Sequence, residues 1–185
     1  MNNIILIGFA SCGKSATAMA LSSATGCGSV DLDRVIETIY EKKHGSATSC
    51  REIFRGGGEQ VFSELETEAL ETLCSMRSSI LSTGGRTPMK EQNRKLLKSM
   101  GSVVYLKCGV ETIIKRMKNK GVPASMGSSP REISEEWNRR DPVYSALADI
   151  VIVNDTQSPN ETALAILSQL APDSSTTNKN MFGRY

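Results

Sequence analysis

The most chemically specific stretch of the chain is Gly8-Phe9-Ala10-Ser11-Cys12-Gly13-Lys14-Ser15, which meets the pattern G-x-x-x-x-G-K-[ST] at every fixed position. Glycines at those places let the backbone curl with its N–H groups inward, and a helix beginning at the loop adds a dipole favourable to anions. The loop and the helix start, Gly8, Ser11, Cys12, Gly13 and Ala16, would then cradle phosphates, while Lys14 meets the β- and γ-phosphates and Ser15 ligates Mg²⁺. The competing reading, a tight strand-to-helix turn, has no use for Lys-Ser at that place. The pattern predicts ATP or GTP binding with Mg²⁺. A second constellation is Asp31-Leu32-Asp33. Two carboxylates two residues apart could divide the labour, one organising the Mg²⁺ shell and one accepting a hydrogen bond from the hydroxyl that attacks phosphorus. Alternatively either residue caps the helix that follows.

These residues need a scaffold, and the periodicity supplies one. Ile4-Ile5-Leu6-Ile7 is a continuous apolar run ending at Gly8, the pattern of a strand buried on both faces of a parallel sheet. Residues 14–24 follow with helical spacing and stop at Gly26-Cys27-Gly28. A second strand ends at Asp31, and further strands are predicted at 79–83, 103–106 and 150–153. Helices are predicted at 33–41, 61–76, 90–100, 110–118, 132–141 and near 161–170, with Pro142 ending the fifth of these. In the helix at 61–76, Val61, Leu65, Ala69, Leu70 and Leu73 share one face. Strands alternating with helices imply a five-stranded parallel sheet with helices on both faces, which puts Gly8 and Asp31 at strand carboxyl ends, where ligands bind. Residues 121–130, rich in Gly, Ser and Pro, suggest a mobile lid, and 172–185 read as a polar, weakly ordered tail.

The whole-chain figures are permissive. A length of 185 residues suits one domain, placed at 1–171. With 39% hydrophobic and 23% charged residues and a net charge of +2, nothing marks a nucleic-acid or membrane binder, so neither partner is expected. The five cysteines are scattered without a C-x-x-C pair, and His44 is the single histidine, so neither a disulfide scaffold nor a zinc site is expected. No apolar run approaches the roughly twenty residues of a membrane span, and the start has no basic export region. The chain is expected to be cytoplasmic and monomeric.

Five short stretches, in order and at specific spacing, resemble the shikimate kinase family: the loop with its leading Gly8-Phe9; Asp31-Leu32-Asp33 with Ile36-Glu37; Ile53-Phe54 followed by Gly58-Glu59, Phe62 and Glu66; Ser82-Thr83-Gly84-Gly85; and Arg140-Asp141-Pro142-Val143-Tyr144. The resemblance runs to about Pro159. It implies an α/β fold of the P-loop NTPase, nucleoside-monophosphate-kinase-like type, a three-layer sandwich, and an enzyme that moves the γ-phosphoryl of ATP onto a hydroxyl of shikimate. It implies that Asp31 helps position Mg²⁺ and that Asp33 holds the ring hydroxyls and acts as base. By the same likeness Gly84 and Gly85 approach the acceptor with bare backbone, Arg140 pairs with its carboxylate, and Phe54 and Phe62 line the pocket. Arg116 would stack on adenine. From its position after the last strand, apart from the resemblance, the segment 154–159, ending at Pro159, could wrap the base.

The departures from the family pattern concern charge. Where relatives carry a second carboxylate-gripping arginine stands Ser63, and losing such a bidentate contact is expected to cost about 2 to 5 kcal/mol of acceptor binding. The third glycine of a triple-glycine turn is Arg86, and the lid arginine is replaced by Val122 before Pro123. Arg86 or Arg55 could return positive charge from a new direction, in which case shikimate remains the acceptor. The pocket could instead take a different polyol or acid, or the chain could bind nucleotide and turn over slowly or not at all. Other residues have plain readings beside these: Arg140 as an ion pair with Asp141 or a neighbouring acid, Arg86 and Arg116 as solvated arginines, Trp137 as core, and Cys12 as a spacer within the loop.

Overall fold

The structure, a computed structural model, describes residues 2–124 and 126–171. The expected tail at 172–185 and residue 125 of the expected lid lie outside the described residues. The order of elements is β1 (Asn3–Ile7), α1 (Lys14–Thr25), β2 (Gly28–Asp31), α2 (Leu32–His44), α3 (Cys50–Thr72), β3 (Ser79–Ser82), a short 3-10 helix (Thr87–Met89), α4 (Glu91–Met100), β4 (Gly101–Lys107), α5 (Val110–Lys120), α6 (Pro130–Leu147), β5 (Ile150–Val153) and α7 (Pro159–Leu170). The five strands form one parallel sheet in the order β2-β3-β1-β4-β5. β1 is buried along its whole length, as its apolar run requires at the centre of a sheet covered on both faces. The chain runs outward from β1 to β2, returns through β3, and crosses to β4 on the other flank, so the carboxyl end of β1 opens onto a crevice at a topological switch point. The buried apolar side chains of strands and helices form one cluster.

Helix ends follow local chemistry. Gly26 adopts the left-handed conformation (φ 72°) that closes α1. Ser49 with Glu52, Ser129 with Glu132, and Ser158 with Glu161 each form a capping box that starts α3, α6 and α7. These caps begin α6 and α7 two residues earlier than the periodicity suggests.

Two helices depart from expectation more strongly. α3 starts at Cys50 rather than at residue 61 and ends at Thr72, and it passes through a kink at Gly58 (φ 73°, ψ −171°), a conformation open essentially to glycine. The glycine run at 56–58 is therefore inside the helix and bends it. Val61 does not join the buried face and is 40% exposed. α6 does not end before Pro142 but continues to Leu147. Proline removes one helix hydrogen bond and crowds the preceding turn, costing about 3 kcal/mol. The buried side chains on either side of it, Arg140, Tyr144 and Leu147, hold the helix together through this defect.

Candidate active site

Between β1 and α1 the loop has the shape its residue types demand. Gly8 and Gly13 have φ of +143° and +105°, and a Cβ would come within 2.7 Å of Leu106 O at Gly8 and 2.9 Å of Asn154 Nδ2 at Gly13. Both fixed glycines are thus required by conformation and by space. Cys12 is fully buried under the loop, and its carbonyl accepts from Asn154 Nδ2 at 2.7 Å. The Lys14 ammonium lies along the inner rim, donating to Gly8 O and Phe9 O at 2.9 Å each.

At the start of α1, Ser15 Oγ donates to Asp31 Oδ2 at 3.0 Å and lies 3.5 Å from Ser82 Oγ. The other oxygen of Asp31 accepts from the Asp33 amide at 3.1 Å. One carboxylate both caps α2 and faces the phosphate loop. A hydroxyl beside a carboxylate is the hard oxygen set that suits Mg²⁺, which fills its remaining positions with water and phosphate oxygens. Among the described residues no cluster of three His, Cys, Asp or Glu side chains offers a self-contained metal cage. Asp33 sits two residues on, and burial, aided by the charge of Asp31, pushes its carboxyl up to about 6 against the opposing pull of Lys14.

Asp33 opens onto a pocket of about 390 Å³ that joins the loop to β3, α3 and α6. Its lining includes Ser11, Lys14, Ser15, Asp31 and Asp33 from the loop, the start of α1 and the end of β2, and Phe54, Phe62, Gly84, Gly85, Arg86 and Arg140 from α3, the turn after β3 and α6. The two phenylalanines meet edge to face at 5.8 Å. A Cβ on Gly84 would stand 3.0 Å from both Glu66 Oε1 and Thr87 Oγ1 and 3.5 Å from Asp33 Oδ1, and one on Gly85 would stand 3.2 Å from Ala10 N. The bare backbone there is a packing requirement. Tyr144 donates its hydroxyl to Gly85 O and fixes this turn.

Arg140 is 1% exposed, with its guanidinium 5.2 Å from the Phe9 ring. Its ion-pair partner is Glu136, one turn earlier, bound through Nε at 2.7 Å and through Nη2. Of the acids the sequence offered, a neighbouring one and not Asp141 is the partner, because Asp141 accepts from Tyr105 Oη at 2.8 Å and Lys107 Nζ at 3.0 Å. Glu136 also accepts from Arg139, and this bond, followed by the charge and hydrogen bond of Arg140, holds its carboxyl down to about 2. Arg86 pairs with Glu59 just past the kink of α3. Ser63 and Arg55 stand outside the pocket lining, and Arg55 is exposed.

Away from this pocket, Arg116 donates to Ser11 O at 3.3 Å, Asn154 O at 3.0 Å and Asp155 O at 2.9 Å. These bonds occupy the edge of the guanidinium, whereas base stacking would use its face. Pro159, expected beside the base, is exposed at the start of α7 and outside the pocket that gathers the other site residues. Trp137 packs against the core and donates to Cys108 O at 2.9 Å. His44 ends α2, stacked on Tyr40.

Two pocket residues were given no role by the sequence. Glu66 is 3% exposed, accepts from Thr87 Oγ1, and is pushed up to about 7 chiefly by burial. Arg51 lines the pocket from the first turn of α3. Its signal was the capping pattern Ser49-x-x-Glu52, which starts a helix ahead of the glycine run.

Comparison with known proteins agrees with this geometry. The family model described as shikimate kinase matches residues 10–171. A shikimate kinase of Persephonella marina is 32% identical over 170 residues, covering 92% of this chain and 99% of the relative. One from Thioalkalivibrio sulfidiphilus is 37% identical over 159 residues, covering 85% and 80%. Among solved structures, shikimate kinase from Acinetobacter baumannii in complex with shikimate superposes with a TM-score of 0.81 at 30% identity, covering 92% of this chain and 93% of the other. The Aquifex aeolicus enzyme gives 0.74 at 29% identity, covering 91% and 95%. A P-loop formed between a buried strand and a helix, a carboxylate pair at the end of β2 and a buried arginine on α6 thus occur in a chain that belongs to the shikimate kinase family.

Proposed function

We propose that the protein catalyses ATP-dependent phosphorylation of shikimate, giving ADP and shikimate 3-phosphate. The observation that carries this reading is convergence: the Lys14–Ser15 end of the phosphate loop, the raised carboxyl of Asp33 and the buried guanidinium of Arg140 border one pocket. In this scheme Lys14 leaves the loop carbonyls to neutralise the β- and γ-phosphates. Ser15 and Asp31 would hold Mg²⁺, which supplies charge neutralisation to the phosphate tail when bound. Asp33, its carboxyl raised to about 6 by burial, accepts the proton of the attacking hydroxyl as the oxygen bonds to phosphorus and ADP departs. Arg140 exchanges part of its contact with Glu136 for the acceptor carboxylate. Arg86, which borders the pocket within reach of Glu59, supplies the second cation that Ser63 cannot. Phe54 and Phe62 cover the apolar face of the ring, and the turn at Gly84-Gly85 meets its hydroxyls.

Arg116 and Pro159 belong to the nucleotide side of the scheme, with Arg116 offering its face to adenine. Residues 121–130 act as the lid that excludes water. Among the described residues no helix is long and apolar enough to cross a membrane. With ATP as donor, the protein works in the cytoplasm as a single-domain monomer.

A second reading, a kinase for a different small acid or polyol, draws support from Ser63 lying outside the pocket lining. Coupled ADP release over a panel of hydroxy acids and polyols separates the two. Shikimate-dependent release at least tenfold above any other acceptor supports the first reading, and a better acceptor in the panel replaces it.

A further inference from the structure

Four cationic side chains border the pocket: Lys14, Arg51, Arg86 and Arg140. Three have roles or partners already described, since Lys14 lies on the loop, Arg86 pairs with Glu59 and Arg140 with Glu136. Arg51 differs. Among the described residues it makes no ion pair, and its one recorded hydrogen bond runs from Nη2 to the carbonyl of Val122 at 2.6 Å. A guanidinium carries five N–H donors in a rigid fork, so most of its capacity stays available to an oxyanion.

The backbone that carries Arg51 is fixed from several sides. The capping box of Ser49 and Glu52 sets the first turn of α3, and Glu37 Oε1 accepts from the Cys50 amide at 3.1 Å. The Cys50 thiol donates to Asp33 O at 3.3 Å; burial and the charges of Asp33 and Glu37 push that thiol up, so it remains a neutral donor. The start of α3 is therefore tied to the residue read as the base, and Arg51 lines the same pocket. Val122 belongs to the other wall. Gly121, Pro123 and Ala124 line the same pocket, and residues 121–124 contain no charged side chain. Any positive charge met by a phosphate on that side has to come from another element.

We propose that Arg51 is a γ-phosphate-binding residue and lid latch: one guanidinium hydrogen-bonds the lid carbonyl of Val122 and turns its remaining donors to the non-bridging oxygens of the phosphoryl group, opposite Lys14. The proposal rests on reading this pocket as the phosphoryl-transfer site. Arg51 makes and breaks no covalent bond. It ties closure of the lid to the presence of the third phosphate.

Calorimetry of the full chain with Mg·ATP and Mg·ADP, without acceptor, tests this. The expected result for Arg51→Ala is about tenfold or greater weakening for Mg·ATP with less than twofold change for Mg·ADP, and an unchanged melting temperature without nucleotide. Arg51→Lys should keep part of the preference for ATP. Should Arg51→Ala fail to fold, Arg51→Gln carries the same test, since it retains a donor for Val122 O and removes the charge. Equal weakening for both nucleotides, or none for either, overturns the proposal. Shikimate-dependent ADP release by the parent is measured alongside. Its absence would remove shikimate as the acceptor, and the ATP-to-ADP ratio would still decide on Arg51.

Discussion

Glu66 shows what one buried side chain contributes. Its carboxyl is pushed from an ordinary 4.5 up to about 7, first by burial, with Asp33 adding repulsion against the bond from Thr87. The folded protein thus holds a proton that the unfolded chain releases, and its stability should fall as pH rises from about 4.5 to 7 and level off above. The Glu66 contribution to that fall is on the order of 3 kcal/mol. Urea unfolding at pH 5 and pH 8 checks it: Glu66→Gln should remove most of the difference, whereas an equal difference in parent and variant would show that the proton resides elsewhere. Arg140 makes a sharper functional case. Replacing it with Met should lower kcat/KM for shikimate by about 30-fold or more, since a buried charge contact is worth roughly 2 to 5 kcal/mol. Glu136 is left unpaired in that variant, so unfolding should be followed in parallel. The loop glycines, Lys14 and Ser15 were legible as one strand-to-helix turn, and both aspartates as a pair at the end of β2, because each placement depends on spacing within its own short segment. The partner of Arg140 was not, because Glu136 and Asp141 are both close in sequence and only the direction of the α6 side chains chooses between them.

Elements were legible where one period ran without interruption. β1 and α1 follow directly from an apolar run and the helical spacing after it. α3 was not, because three successive glycines look like a breaker, and only the structure shows that Gly58 carries the whole break while Gly56 and Gly57 stay helical. A Cβ at Gly58 would meet nothing within 4 Å, so substitution there isolates backbone strain from packing. Gly58→Ala should destabilise the protein by about 1 to 3 kcal/mol. It should also weaken shikimate binding, since Glu59, the partner of Arg86, follows directly. Chemical denaturation read beside KM for shikimate tests this, and a variant as stable as the parent would mean that the kink tolerates a side chain. Pro142 misled in the opposite direction. Local propensity argues for a stop, and the burial of Arg140, Tyr144 and Leu147 overrides it.

At the scale of the whole molecule, the sheet order places the outcome of each local choice in one crevice. β1 delivers the phosphate loop, β2 the aspartates and β3 the Gly84-Gly85 turn, all at carboxyl ends on the same side of the sheet. α3 and α6 then bring Phe54, Phe62 and Arg140 over that opening. Alternation of strands and helices was enough to read the parallel sheet, but which helix supplies which cation depends on how far each projects past the strand ends. A single pocket lined by both the phosphate loop and the proposed acceptor residues should carry out the whole transfer. The most direct test is ³¹P NMR of the protein incubated with Mg·ATP and shikimate. The γ-phosphate signal should be lost, with a matching ADP signal and one new phosphomonoester resonance that requires shikimate, and the rate should fall at least 100-fold in Lys14→Ala and in Asp33→Asn. ADP appearing with inorganic phosphate alone, or a phosphomonoester formed equally well by both variants, would contradict it.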